Sequence, residues 1–132
     1  MTNEKIATLN VTLRDLFFRW IDVTQGFHKL NVQQRNILAL FLYYHYIYKR
    51  DTTNSKILWK IVFDYDTKRK ICDDKIFGDK GLSTGALANA MTLFRHRKII
   101  IDNELSPLYI PDVSKDAKNF KVIYNFNIVD NG

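Results

Sequence analysis

The sequence predicts an α+β fold in which several helices precede a small antiparallel sheet. Apolar residues recur at helical spacing in several stretches before residue 97. Three isoleucines at positions 99–101 follow the last helical stretch directly, as a β-branched strand would. Residues 120–128 alternate apolar and polar side chains, which is the pattern of a half-buried strand. A chain of 132 residues without internal repeats is predicted to form one domain over residues 1–132.

The N-terminal region is predicted to hold a short strand and a capped helix. A short strand is predicted near residues 5–11, because Leu9, Val11 and Leu13 share one face at period two. Thr12 is predicted to cap the helix, and Gly26 is predicted to end it in the left-handed conformation. The apolar stripe of this helix consists of Leu13, Leu16, Phe17, Trp20 and Ile21. The first element after the strand is therefore an amphipathic helix with one buried face.

The next helix, predicted at residues 32–48, is apolar around most of its circumference. Asn31 is its predicted N-cap, and Gln34 lies at the capping-box position. Such a helix is expected at the centre of the domain or beneath another chain. Five aromatic residues cannot all point into the core, so they form the candidate protein interface. They are Phe41, Tyr43, Tyr44, Tyr46 and Tyr48.

Three further helices and a terminal sheet complete the predicted order. A short helix over residues 57–64 precedes one over 67–77, for which Asp66 is the predicted cap and Gly78 the C′ residue. Ser83 is predicted to cap the last helix, which carries a stripe of Leu87, Ala90, Met91 and Phe94. The isoleucine strand then opens a C-terminal hairpin, with which the N-terminal strand could pair. A short helix followed by a strand and a hairpin indicates a winged-helix-like domain.

Charge and composition exclude several classes of function. The net charge of +6 favours an acidic partner, such as nucleic acid or an acidic protein face. Acidic residues outnumber basic ones after residue 100, so the terminal region is not a basic wing. The histidines, His28, His45 and His96, have no metal-ligand spacing, and Cys72 is a lone cysteine. We therefore expect no enzyme, metal, cofactor or small-molecule substrate. No secretory or membrane-spanning segment is recognised, and an intracellular protein is expected.

The last helix also supplies a candidate surface for duplex DNA. In a helix-turn-helix protein, the exposed face of the second helix enters the major groove, where Thr and Asn can read bases and Arg can hold phosphate. The candidate residues are Thr84, Asn89, Thr92, Arg95, His96, Arg97 and Lys98. The first two turns lack Arg and Lys, which weakens this hypothesis. The alternative is a polar helix face that contacts another protein or only water.

Patterns of residue type across residues 12–128 resemble small winged-helix-like proteins of tailed bacteriophages. The matching stretches include residues 27–31, 42–44, 82–83, 93–95, 99–103 and 120–128. The resemblance is to proteins of crAss-like phages of gut Bacteroidota. It implies a virion protein, assembled in the host bacterial cytoplasm, or a phage-encoded accessory protein rather than a metabolic enzyme. It transfers no functional residue. The preferred interpretation is a non-enzymatic ring or connector component at the portal, neck or tail. It would contact copies of itself and neighbouring virion proteins.

The sequence leaves two other functions open. The first alternative is a cytoplasmic winged-helix protein that binds double-stranded DNA as a transcription regulator or replication accessory. A peptide-binding adaptor is the third possibility. Fold alone does not choose among them, because one fold serves many functions.

Overall fold

The computed structural model describes residues 5–130, which form an α+β arrangement of six α-helices and one two-stranded antiparallel sheet. This arrangement confirms the α+β part of the predicted fold class. The helices are α1 (Leu13–Val23), α2 (Gln25–His28), α3 (Val32–Lys49), α4 (Ser55–Val62), α5 (Tyr65–Cys72) and α6 (Thr84–His96). The strands are β1 (Ile100–Ile101) and β2 (Glu104–Leu105), and 3₁₀ turns form at Lys75–Phe77 and Pro107–Tyr109. No helix of the described residues has the length and apolar character that crossing a membrane requires.

Helix α3 lies at the centre of the fold, as its apolar circumference predicts. Every residue from 37 to 42 is buried, and α1, α4, α5 and α6 all pack against this helix. The predicted capping box is present, since Asn31 accepts from the Gln34 N–H at 2.8 Å and the Gln34 side chain accepts from the Asn31 N–H at 3.0 Å. Burial on nearly all sides gives α3 its role as the core helix.

The α1–α3 connection differs from the prediction that Gly26 ends the first helix. The α1 helix ends at Val23, and Gly26 lies inside the short helix α2. The left-handed residue is Lys29, with φ 53°. His28 fixes this corner, because its Nε2 donates to the Ile21 carbonyl at 2.7 Å and its Nδ1 accepts from the Leu30 N–H at 3.1 Å. These side-chain bonds set the backbone path without a glycine.

The predicted helix over residues 67–77, capped by Asp66, is wrong at both ends. Asp64 is the N-cap of α5, and its Oδ1 accepts from the Thr67 N–H at 2.8 Å. The helix ends at Cys72, whose carbonyl oxygen accepts from the Leu82 N–H at 2.8 Å. Gly81 permits this approach with φ +68°, because a Cβ there would lie 2.3 Å from the same oxygen. Tertiary bonding therefore replaces further helical turns.

The junction between α6 and β1 follows the predicted pattern. Ser83 caps α6, and the stripe of Leu87, Ala90, Met91 and Phe94 is buried. The helix ends in a Schellman motif, since the Ile99 N–H bonds the Phe94 carbonyl at 2.8 Å and the Lys98 N–H bonds the Arg95 carbonyl at 3.1 Å. Lys98 takes the left-handed conformation with φ 60°.

The sheet is a tight hairpin rather than the larger one that the sequence predicts. Ile100 pairs with Leu105 and Ile101 with Glu104. The turn residues Asp102 and Asn103 both have positive φ, as a type I′ turn requires. The first strand thus finds its partner only three residues later, and the distant residues 120–128 are not needed to complete it.

The two predicted terminal strands are absent from the described structure. Residues 5–12, here called the N-terminal arm, are exposed and form no strand. Residues 121–130, here called the C-terminal arm, are also exposed and form no strand. The predicted pairing of the N-terminal strand with the terminal hairpin is likewise missing from residues 5–130. Alternation indicates which faces a strand could bury, but a strand also needs a partner for its backbone.

Candidate interaction surfaces

The outer face of α6 presents the polar residues that the sequence singles out for DNA. Thr84, Asn89 and Thr92 are exposed, because the buried stripe faces α3 and α5 on the opposite side. The Thr92 hydroxyl donates to the Ala88 carbonyl at 3.1 Å. Arg95, His96, Arg97 and Lys98 are also exposed at the C-terminal end. The structure therefore brings all seven candidates to one helix and its end.

Arg97 has a structural contact as well as an exposed surface. Its Nη1 donates to the His28 carbonyl at 3.1 Å and lies 3.5 Å from the Lys29 carbonyl. These bonds attach the end of α6 to the corner between α2 and α3. A substitution of Arg97 would disturb this attachment along with any phosphate contact, so Arg95 and Lys98 are the cleaner probes of charge.

The aromatic residues of α3 pack largely against other side chains of the same chain. Phe41 is fully buried, so its inclusion in the candidate interface is wrong. The centroid of its ring lies 5.1 Å from that of Phe63. Tyr43 and Tyr46 pack around Phe17 of α1, at centroid distances of 6.1 Å and 5.5 Å. The Tyr46 hydroxyl also donates to the Ser114 carbonyl at 3.1 Å.

The other two tyrosines of this set, Tyr44 and Tyr48, stack on each other beside α5. Their ring centroids are 5.9 Å apart. Lys70 donates to the Tyr48 hydroxyl at 3.2 Å, and this hydrogen bond raises the pKa of Lys70. Burial, with a smaller contribution from Asp74, raises the pKa of Tyr44. All four tyrosines are half-buried, so only part of each ring can contact another protein.

An ion pair joins α1 to the segment that follows α5. Arg14 Nη2 lies 2.7 Å from Asp74 Oδ1, and the Asp74 side chain is only 10% exposed. Burial by itself would raise the pKa of Asp74, but the bonds from Arg14 and the Ile76 N–H together lower it. The Arg14 pKa is raised, chiefly by its hydrogen bond to Asp74. Asp74 has a structural contact here rather than an evident catalytic one.

His45 and Cys72, two residues whose side chains could carry chemistry, are buried in the core. In residues 5–130, no group of three or more His, Cys, Asp or Glu side chains is arranged to hold a metal ion. His45 is buried and stacked on Trp59 at 4.3 Å, and burial lowers its pKa to about 4. Burial also raises the pKa of the Cys72 thiol, with a further contribution from Asp73, so the protonated form prevails at neutral pH. These groups are core side chains in this fold.

A shallow cleft of about 220 Å³ lies between α3 and the 107–113 segment. His45, Lys49 and Asp112 are among its lining residues, together with apolar side chains. The lowered pKa of the buried His45 keeps its ring neutral at pH 7, whereas Lys49 and Asp112 are exposed.

The C-terminal arm lies exposed on the surface rather than in the predicted terminal strand. Phe120 rests against Trp20 of α1, with ring centroids 5.8 Å apart, and the chain beyond it is exposed. Phe126 is 82% exposed and Ile128 is 97% exposed. The rings of Tyr124 and Phe126 stack on each other, with their centroids 6.0 Å apart. The one available signal was the polar segment over residues 112–119, which separates this stretch from the hairpin.

Comparison with protein families, characterised proteins and solved structures finds no match to this chain. The surfaces described above are therefore interpreted from their own geometry and chemistry.

Proposed function

We propose that the chain is a non-enzymatic structural component of a bacteriophage particle, acting through protein–protein contacts in a ring or connector at the portal, neck or tail. The observation that carries this proposal is the C-terminal arm. It is a segment without regular secondary structure that has a strand-like sequence, exposed apolar side chains and no strand partner among residues 5–130.

Exposed apolar segments of this kind are typical of assembly surfaces. Four arm residues are about four-fifths exposed or more: Ile123, Phe126, Ile128 and Val129. A strand-forming segment without a partner offers unpaired backbone groups to another chain. Covering it would bury apolar area and satisfy backbone bonds at the same time. The exposed arm therefore supports the interpretation that the protein acts as part of an assembly.

The rest of the surface is compatible with the same role. The half-buried tyrosines of α3 lie partly at the surface of residues 13–120, here called the body. The net charge of +6 suits acidic neighbouring subunits or packaged DNA. The resemblance to winged-helix-like proteins of crAss-like phages supplies the particular assembly in this proposal.

Two measurements test the structural role. Peptide mass spectrometry of purified particles should detect the chain at a fixed stoichiometry to the portal protein. Native mass spectrometry of the isolated chain should detect a homo-oligomer or, after addition of a portal-like partner, a complex. A strictly monomeric chain that is also absent from purified particles would rule out this function.

A second candidate function is duplex DNA binding by a winged-helix domain, and the outer face of α6 favours it. In this reading α5 and α6 form the helix pair, and the β1–β2 hairpin that follows is the wing. Thr84, Asn89 and Thr92 would face the bases, while Arg95 and Lys98 would contact phosphates. The hairpin is short and carries Glu104, which makes it a poor phosphate contact.

A salt titration with duplex DNA tests the second candidate. Binding should weaken steeply between 50 mM and 200 mM salt if phosphate contacts contribute. Asn89→Ala should relax sequence preference, whereas Arg95→Gln should weaken binding to all sequences alike. Lys115→Gln, in the loop remote in sequence from α6, serves as a matched charge control. Absence of binding at low salt would exclude this function.

A further inference from the structure

We infer that the C-terminal arm of one copy pairs as an antiparallel strand with the N-terminal arm of a neighbouring copy. This inference rests on the proposed role in a ring, and it names the surface through which the subunits would join. Both arms are strand-like in sequence and exposed in the structure. Neither makes a backbone hydrogen bond to the other within residues 5–130.

Both arms leave the folded body along α1. The N-terminal arm enters this helix at Leu13, and the C-terminal arm departs where Phe120 rests on Trp20. Seven residues of helix separate these points, which is about 10 Å. In a strand conformation, the ten residues of the C-terminal arm would reach roughly 33 Å from the body. That distance is sufficient for an arm to reach an adjacent subunit.

One antiparallel register matches residues 5–11 of the N-terminal arm with residues 124–130 of the C-terminal arm. Opposite residues in an antiparallel pair share a face of the sheet, so apolar residues should oppose apolar ones. When Leu9 opposes Phe126, apolar residues oppose apolar ones, polar residues oppose polar ones, and Lys5 opposes Asp130. The remaining pairs are Val11 with Tyr124, Asn10 with Asn125, Thr8 with Asn127, Ala7 with Ile128 and Ile6 with Val129.

Neighbouring registers lose this match. A shift of one residue places Leu9 opposite Asn125 or Asn127, so that apolar side chains oppose amides. A shift of two residues that opposes Leu9 to Tyr124 places Ile6 opposite Asn127 and Lys5 opposite Ile128. The opposite shift of two residues, which opposes Leu9 to Ile128, places Thr8 opposite Val129 and Ala7 opposite Asp130. The Leu9–Phe126 register therefore gives the best match of the registers compared, and it alone pairs Lys5 with Asp130.

The geometry of this contact suits a closed ring. Two different surfaces meet, so the contact is heterologous and each subunit both gives and receives an arm. Repetition of such a contact closes into a ring when the rotation between neighbours divides a full turn. The N-terminal arm is thus the partner that the C-terminal arm lacks within one chain.

Disulfide trapping between copies tests the inference. In a Cys72→Ala background, a Leu9→Cys chain and a Phe126→Cys chain are mixed in equal amounts and oxidised gently. Directly opposed residues lie about 4.5–5.5 Å apart at Cα, within the range that a disulfide spans. We expect a mixed dimer at more than tenfold the yield of a control mixture of Leu9→Cys with Asn125→Cys, whose cysteine falls on the opposite face. Equal yields from the two mixtures would overturn the inference.

The double variant Leu9→Cys/Phe126→Cys on one chain separates pairing between copies from pairing within a copy. Pairing between copies gives a ladder of covalent oligomers, and exclusive formation of an internally bridged monomer would overturn the inference. Circular dichroism checks that each variant folds, which is expected because both positions are outside the core. If the chain occurs in particles but no cross-link forms, the arm contact is wrong and the structural role stands. If the cross-link forms but the chain is absent from particles, the virion role fails and the arm contact stands.

Discussion

The β1–β2 hairpin and the C-terminal arm both contain β-branched residues that favour strands, but of the two only the hairpin forms a sheet. Ile100 and Leu105 of the hairpin are 4% and 1% exposed, whereas Ile128 of the arm is 97% exposed. The hairpin has two advantages. A turn of two residues brings its strands together, and α6 covers its apolar face. The arm follows a long irregular segment and has neither.

This difference shows that a strand forms where its partner and its covering surface are both near in the chain. Closing a longer loop costs more conformational entropy, and two short strands alone are only marginally stable. The body should therefore unfold as a unit that the arm does not influence. Substitutions in the two regions should separate accordingly, and the expected effects below run from largest to smallest.

Gly81→Ala should lower the stability of the body more than the other substitutions described below. The new Cβ would lie 2.3 Å from the Cys72 carbonyl oxygen, and the backbone there has φ +68°. We expect the free energy of unfolding to fall by about 2–4 kcal/mol in urea titration. Gly85→Ala is the control, since a Cβ at that position of α6 meets no atom within 4 Å. A similar loss in both variants would contradict the close approach at Gly81.

Acid should weaken the body through His45. Its pKa is lowered from 6.5 to about 4 in the folded state, so the unfolded chain takes up a proton first as pH falls. The neutral His45 ring therefore costs the folded state nothing above about pH 6.5. Between about pH 6.5 and about pH 4, the free energy of unfolding should fall by up to about 1.4 kcal/mol per pH unit. His45→Phe should flatten the profile of unfolding free energy against pH. Some slope should remain from His28, whose pKa burial also lowers.

Asp74→Asn should remove the charge from the ion pair with Arg14 and cost about 1–2 kcal/mol at pH 7. The lowered pKa of Asp74 means that its contribution is present above the pKa of the unfolded chain and is lost as pH falls through the folded pKa. The variant and the parent should therefore converge in acid. Asp73→Asn is the control, because Asp73 Oδ2 lies 3.8 Å from Arg69 Nε in an exposed pair that should contribute under about 0.5 kcal/mol.

Lys98→Gly should stabilise the body by about 0.5–1 kcal/mol. Lys98 occupies the left-handed position of the Schellman motif, where glycine has no steric cost. Thermal unfolding should therefore shift upward by a few degrees. A downward shift would mean that the lysine side chain contributes more to the folded state than its backbone strain removes.

Removal of the C-terminal arm, by ending the chain after Phe120, should have the smallest effect on the body. The unfolding free energy of the monomer should change by less than about 0.5 kcal/mol, since all removed residues that the structure describes are exposed. Denaturant titration at low protein concentration measures this quantity. A loss above about 1 kcal/mol would show that the arm packs on its own body.

Local rules were enough to predict much of the body. The capping residues Thr12, Asn31 and Ser83 and the buried stripe of α6 follow from short-range spacing and hydrogen bonding. The end of α5 could not be predicted this way, because it depends on a bond between Cys72 and Leu82 that forms only in the folded chain. The fate of residues 120–128 likewise depends on a partner strand, which an alternating pattern does not identify.

The candidate surfaces were predicted less completely than the fold. Exposure of the polar α6 residues follows from the burial of the opposite stripe, so helical spacing was sufficient. Burial of Phe41 and the partial burial of the tyrosines could not be predicted, because they depend on how α1, α4, α5 and α6 pack against α3. An apolar circumference indicates a central position but does not say which residues remain uncovered.

The positions of the two tryptophans, Trp20 and Trp59, make the molecule its own optical reporter. Trp59 is buried beside His45, so protonation of that imidazole should quench its fluorescence as the core loosens in acid. Trp20 lies under Phe120, with its indole N–H donating to the Tyr109 carbonyl at 2.8 Å, so its emission should respond to movement at the base of the arm. Replacing either one with Phe would leave a single emission signal for one region at a time.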